Sequence, residues 1–310
     1  MIKISSKKID ELVGTMDSHI PVMYREVVDL LNISPGALVV DCTLGLGGHT
    51  KMILERMGPQ GKVIGIDRDN QSLAIAKENL GPAAGQCEFV HDDFRHIDRI
   101  LSERGITQVD NILLDLGISS FQLNNPERGF SFKSDGPLDM RMDQESYISA
   151  YDLINSLSEQ EISSILKNFG EERYHHRIAR HLVERRTKSP FQTTQELSEA
   201  IVRSIPGHYR HQKIHPATRA FQAFRIAVNR ELEALEITLD KAVDYLRPGG
   251  RICIIAFHSL EDRIVKHKLR SYMQIGKIKL ITKKPLRPTN EEVRENSRAR
   301  SARLRVGERT

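Results

Sequence analysis

Long hydrophobic runs are missing from this 310-residue chain: the longest, Ile252–Phe257, has six residues. A spanning helix needs about 20, so a membrane-embedded body is not expected. Cysteine is scarce, and Cys42, Cys87 and Cys253 are odd in number and widely scattered. That pattern supports neither a disulfide framework nor a zinc site, and fits a reducing compartment. The first 18 residues carry Lys3, Lys7, Lys8, Asp10 and Glu11 with no apolar stretch behind them. No secretory signal is expected there, and a soluble, cytoplasmic protein is the reading that follows. Internal repeats and low-complexity segments are absent too. What is present is 39% apolar and 28% charged, which argues against disorder, and the length suits about two domains.

The formal net charge of +5 is unevenly placed. Lys283–Thr310 holds nine Lys/Arg against four acids, which by itself accounts for the whole excess. Arg173–Lys213 holds nine more against Glu184, Glu196 and Glu199. Two concentrated basic stretches on an otherwise neutral-to-acidic body are what contacts to nucleic-acid phosphates require, although a solvated face would look the same.

Strand-like runs at 37–43, 62–67, 88–91 and 110–116 alternate with helical patterns at 48–57, 70–80 and 94–104. Strand, helix, strand at this spacing predicts right-handed crossovers and a parallel sheet. The next strand, 251–257, comes late, preceded by one helix with apolar positions from Phe221 through Leu235 to Leu246. The intervening 118–215 is too long for a crossover loop and reads as an insertion. Its helices are expected at 158–169, opened by Ser158-x-x-Glu161, at 171–188 and at 193–205, after an irregular Gly/Pro/Asp/Arg-rich loop at 124–143. The expected organisation is a catalytic domain of 1–136 with 216–310, and a helical insertion of 137–215 that recognises RNA.

The strongest local signal is Val39–His49, a hydrophobic strand ending in Asp41 followed by a glycine-rich turn into a helix, with Asp67 closing the next strand. Glycines admit a ligand close to the backbone, and Asp67 can accept from two ribose hydroxyls, so a nucleoside crevice is expected. The dinucleotide pattern would need glycine at position 50, where Thr50 stands, which disfavours nicotinamide and flavin cofactors. His91–Phe94 offers an acid and a ring for an adenine, and Leu246–Arg251 has the turn of many Rossmann-type methyltransferases. S-adenosyl-L-methionine is therefore the expected ligand, with an interior packing role for Phe94 as the competing reading.

With the segments around them, these residues closely resemble the bacterial ribosomal RNA small subunit methyltransferase H family. The resemblance is carried by His19–Val22, Gly45–His49, Ile66–Asp69, Leu113–Gly117 with Ser119 and Ser120, Glu127–Phe132, Gly136–Met142, His215–Arg219, Phe257–Arg263 and Arg298–Ser301. It implies a Rossmann-like class I methyltransferase fold with a helical insertion domain, and methylation of N4 of a decoding-site cytosine in 16S rRNA. The substrate would be met within the small ribosomal subunit, with no membrane or metal involved and a homodimer left open. By the same resemblance Gly47, Gly48 and His49 line the methionine end of the cofactor, Asp67 its ribose, Phe94 its adenine, and Asp115 and Gln122 the region near the sulfonium. Cys42 and Leu44 stand where the family usually has Gly and Phe, and Ser297 replaces a common Pro.

Methyl transfer needs a nucleophile held in line with the methyl group, so most of the acceleration comes from positioning. Cytosine N4 is a poor nucleophile, and Asp115 is the first choice for an acceptor on its N–H. The usual Asp/Asn-Pro-Pro-aromatic sequence is replaced by Asp115–Ser120, so contact with the cofactor alone is the alternative. Phe130 or Phe132 would stack on an extruded base, or else pin the loop to the core. Arg128, Arg141 and Arg219 are candidates for phosphate or base contacts, although an Arg in a Gly-rich loop is as often a structural anchor. His208, His211 and His215 invite a metal reading, but Pro206, Gly207 and Pro216 break the helix such spacing needs.

Overall fold

A computed structural model describes residues 20–210 and 214–310. His19, His211, Lys213 and the stretch expected to lack a secretory signal lie outside the described residues.

The chain forms two compact units, one from the residues through Gly117 together with Leu232–Thr310, the other from Ile118–Glu231. In chain order the first unit supplies α1 (Tyr24–Leu31), β1 (Leu38–Asp41), α2 (Gly48–Met57), β2 (Lys62–Asp67), α3 (Asn70–Leu80), β3 (Cys87–His91), α4 (Ile97–Ser102) and β4 (Val109–Asp115). The second supplies α5 (Ser120–Asn124), α6 (Ala150–Ser156), α7 (Glu159–Gly170), α8 (His175–Arg186), α9 (Thr194–Ser204) and α10 (Ala217–Asn229). The chain returns through α11 (Glu231–Tyr245), β5 (Leu246–Ala256), α12 (Ser259–Gln274), β6 (Ile278–Leu280), α13 (Asn290–Glu295) and β7 (Arg303–Arg309).

The first unit is the Rossmann-like sheet that its alternating pattern predicts. Strand order is β3-β2-β1-β4-β5-β7-β6, with β1 to β5 parallel and β7 antiparallel to both neighbours. Successive side chains leave a strand on opposite faces, so Val39 and Val63 enter one core while Val40 and Ile64 enter the other. Burial on both faces explains why these strands read as continuous apolar runs.

The second unit has its own core of Ile162, Leu166, Ile178, Leu182, Phe191, Leu197 and Ile201. Ser158 opens α7 with the expected capping box, and Thr193 accepts from Glu196 N–H at the start of α9. The same core takes in Phe130 ahead of position 137 and Phe221 and Phe224 behind position 215. Apolar loop and helix residues at both margins thus pack with the insertion.

Two expectations change. The helix read as continuous from Phe221 to Leu246 is two, because Arg230 adopts a left-handed φ of 49° that ends α10 before α11 begins. Apolar spacing is blind to such a break, since both helices bury one face. The basic stretch at Lys283–Thr310 is not a free tail, because β7 within it is a sheet strand whose Leu304 and Val306 are completely buried. Three of its arginines serve the fold: Arg303 and Arg305 pair with Asp262 at 3.2 and 2.7 Å, and Arg309 donates to the Lys277 carbonyl, while Lys283, Lys284, Arg287, Arg294 and Arg300 are exposed. Antiparallel alternation of Arg and apolar residues in 303–306 looks, in sequence, like one more run of charge.

Candidate active site

Strand ends assemble the site in the first unit. Asp41, Asp67 and Asp115 close β1, β2 and β4 at the carboxyl edge, where the strand order reverses between β1 and β4. Ligands of open parallel sheets bind in the crevice at such a reversal. The glycine turn bridges β1 to α2: Gly47 N–H donates to the Leu44 carbonyl at 2.8 Å, and Gly47 itself sits at φ 81°. A side chain there would be strained. A Cβ on Gly48 would lie 2.6 Å from Pro21 Cγ, so the close approach of the segment around Pro21 demands glycine.

Asp67 accepts from Gly45 N–H at 2.7 Å and Asp69 N–H at 2.9 Å, one bond on each oxygen. Each oxygen keeps a second lone pair, the capacity a ribose diol needs. Burial raises its pKa to about 6, against the lowering pull of those two N–H groups. Asp41 is a scaffold acid: it accepts from Thr43 N–H at 3.1 Å and the Thr50 hydroxyl at 2.7 Å, and burial raises it to about 6 as well. Thr43 in turn accepts from Asp115 N–H at 2.6 Å, tying the ends of β1 and β4 together.

Asp115 faces the same crevice with its Oδ2 3.5 Å from His49 Nδ1, while its buried Oδ1 has no hydrogen-bond partner among the described residues. Burial first, then the charges of Asp41 and Glu261, push its pKa well above the usual carboxylate range. His49 is buried, and its Nε2 lies 2.9 Å from the Val22 carbonyl, which can only accept. Nε2 therefore carries the hydrogen and Nδ1 turns a lone pair toward Asp115. Burial lowers the His49 pKa to about 4, so the ring is neutral at pH 7.

Phe94 opens a 3-10 turn after β3, half-buried against the core that holds Ile97 and Leu116. Beside it, partial burial pulls the Asp92 pKa up, but His96, the Asp93 N–H and Arg99 hold it below its ordinary value. Asp93 pairs with Arg68 and Arg95. The rim at β5 adds a pair in which His258, read as either lining the pocket or a satisfied interior histidine, caps α12 against Glu261, whose carboxylate also accepts from Phe257 N–H at 2.7 Å. The His-x-x-Glu spacing is the signal that would have found it, because it is the spacing of a capping box. Thr43 was missed likewise, although Asp41-x-Thr43 is a short acceptor-to-N–H turn.

The remaining predicted residues belong to the second unit. Gln122 is buried, and its side chain accepts from Ser119 N–H in the capping box of α5. Arg128, 1% exposed, donates to the carbonyls of Arg141 and Met142. Arg141 grips Asp139 and donates to the carbonyls of Gln144 and Ser146. Both guanidiniums hold the 128–146 loop in shape, and Phe130 is buried in the core beneath it. Phe132 is half-buried, stacked on His215 at 4.6 Å and edge-on to Phe221. Arg219 is exposed and donates once, to the Glu171 carbonyl.

Chemically, the first-unit crevice offers a glycine-lined backbone, two free acceptor positions on Asp67 and an unsatisfied buried carboxylate oxygen. Desolvated acids attract a ligand carrying positive charge, because the ligand replaces the lost water. A ribose-bearing cation fits that donor and acceptor set.

Residues 16–310 match the profile of the MraW methylase family. Over 303 residues the chain is 48% identical to the ribosomal RNA small subunit methyltransferase H of Clostridium botulinum (strain Kyoto / Type A2), covering 93% of this chain and 97% of that protein. It is 46% identical over 306 residues to the protein of the same name from Carboxydothermus hydrogenoformans, covering 94% and 97%. Among solved structures, a SAM-dependent O-methyltransferase from Thermotoga maritima aligns with a TM-score of 0.44 and 12% identity, covering 97% of this chain and 71% of that one. No helix among the described residues is long and apolar enough to cross a membrane.

Proposed function

The chain belongs to the MraW methylase family, and from that premise we propose that it methylates N4 of a decoding-site cytosine in 16S rRNA within the small ribosomal subunit, in the cytoplasm. S-adenosyl-L-methionine, when bound, supplies an electrophilic methyl group on a cationic sulfonium. The observation that carries the reading is the Asp115 carboxylate: a buried oxygen without a partner among the described residues, at the crevice edge beside the glycine turn.

Asp67 accepts from the two ribose hydroxyls, the backbone of Gly47 and Gly48 and the ring of His49 bound the methionine end, and Phe94 packs at the adenine. Asp115 accepts a hydrogen bond from the cytosine N4–H. Localising the N4 lone pair in this way makes it nucleophilic, and holding it in line accounts for most of the rate. As the new N–C bond formed, the sulfur–methyl bond would break with its electron pair staying on sulfur, and the amino proton would leave toward the Asp115 side. In the helical unit, residues 137–215 are assigned to RNA recognition. Direct RNA contacts in the same unit rest on Phe132 and Arg219, which flank that segment, because Arg128, Arg141 and Phe130 are engaged within their own unit.

The test is transfer from methyl-labelled S-adenosylmethionine to naked 16S rRNA and to small subunits, followed by nucleoside digestion. Label in N4-methylcytidine is expected, and label on a ring carbon, or none on RNA, would overturn the assignment. Asp115→Asn separates the two roles of Asp115. A fall in kcat of about 100-fold or more with cofactor affinity kept assigns it to the base. A loss confined to cofactor affinity assigns it to the cofactor alone.

A further inference from the structure

Between α8 and α9 of the second unit lies an open groove of about 530 Å³. Its α8 wall consists of His176, Arg177, Arg180, His181 and Glu184, and Arg203 closes it from α9. The α8 positions form one stripe of neighbouring turns, opposite the buried stripe of Ile178 and Leu182. The arginines of α8 divide by face. Arg186 donates to the carbonyls of Ile154 and Leu157, and Arg185 lies over the Phe191 ring at 4.5 Å, so both serve the fold. On the groove side, Arg180 reaches Glu159 only at 3.7 Å, and Arg203 pairs with Glu199 one turn away at 3.1 Å. Exposed pairs of this kind hold little free energy and yield readily to a better anion. Arg177 is exposed, with no hydrogen bond or ion pair among the described residues.

Among the described residues no aromatic ring lines the groove apart from its two imidazoles. The nearby tyrosines, Tyr174 and Tyr209, pack edge-on against each other at 5.1 Å with Arg173 across both. Unpaired strands are held by stacking platforms, whereas forked guanidinium donors without rings suit phosphate oxygens. A base-paired segment offers phosphates while its bases stay stacked on one another. We propose that the α8–α9 groove seats the phosphodiester backbone of a base-paired RNA segment, through Arg177, Arg180 and Arg203. The proposal rests on the rRNA reading above and deepens it.

The experiment titrates the full chain, without methyl donor, against a fully paired RNA hairpin and an unpaired oligonucleotide of equal length over a range of KCl. The paired substitution Arg177→Ala with Arg203→Ala should weaken hairpin binding about tenfold or more and reduce the slope of log affinity against log salt by about two. The corresponding Arg→Lys pair should keep the slope, which separates charge from folding, and binding of the unpaired strand should change little. An unchanged slope, equal loss on both RNAs, or no hairpin binding by the wild-type chain would overturn the proposal. Methylation by the wild type, scored in parallel, keeps the two readings distinct. A groove-dependent hairpin affinity without N4 methylation leaves the groove and removes the reaction, while N4 methylation with an unchanged slope does the reverse.

Discussion

Lys283–Thr310 and Arg173–Lys213 hold the same number of Lys and Arg residues and look alike in sequence, yet the fold uses them differently. In the first, Arg303 and Arg305 converge on Asp262, and the apolar residues between and beyond them form β7. In the second, α8 turns some arginines toward carbonyls and a ring, and others toward an open groove. Net charge therefore says how many cations a segment has, and only the partners available in the fold say how many remain for a ligand.

The contrast breaks most severely if the C-terminal strand is removed. Ending the chain after Ala302 strips β7 from between β5 and β6, and the protein should lose its cooperative thermal transition. A shortened chain that still melts cooperatively would return the segment to the surface. Next in size is Arg305→Ala, which leaves Asp262 with Arg303 alone, at 3.2 Å, in a largely buried setting and should cost about 2 kcal/mol in denaturant unfolding. RNA affinity and its salt slope should be untouched by that change.

pH gives a subtler contrast within the first unit. Burial raises the Asp41 and Asp67 carboxyls to about 6, above their value in an unfolded chain, so the native state holds more protons between about pH 4 and about pH 6. These two groups should make the ligand-free protein less stable as pH rises through that window. Asp262 acts oppositely: partial burial would raise its pKa, but Arg305 and Arg303 hold it below the ordinary value. Its stabilisation is present above the ordinary carboxylate range and is lost as pH falls through its native pKa. Cofactor affinity should drop as pH falls through about 6, where Asp67 gains a proton, and calorimetric titration that shows a flat affinity there would move ribose recognition to another group. The smallest stability effect belongs to Arg177→Ala, within about 0.5 kcal/mol of wild type because that exposed side chain has no hydrogen bond or ion pair among the described residues. A larger destabilisation would show that Arg177 supports α8 and is not held for a ligand.

Much of the crevice was legible before any coordinates. Asp41, the glycine turn and Asp67 are local: a strand, a turn and the next strand end lie within a short stretch of chain, and their residue types state their chemistry. Asp115 was legible by topology, since a fourth parallel strand must end on the same edge as the first. The neutral, Asp115-facing state of His49 was not, because it depends on the Val22 carbonyl from a separate segment. Arg128 and Arg141 read either as RNA contacts or as structural anchors, because an arginine in a glycine-rich loop suits both, and the carbonyls they bind become visible only when the loop closes on itself.

By itself, the chain's order of residues determined the alternating parallel sheet, the capped helices of the insertion and the crevice at the glycine turn, because periodicity, caps and glycine turns act between near neighbours. Tertiary structure alone decided which arginines are engaged, where a seemingly continuous helix divides at Arg230, and that Arg303–Arg309 at the end of the final basic run is a strand. Those outcomes depend on partners distant in sequence, and a charge or an apolar stripe carries no mark of which distant partner it will meet.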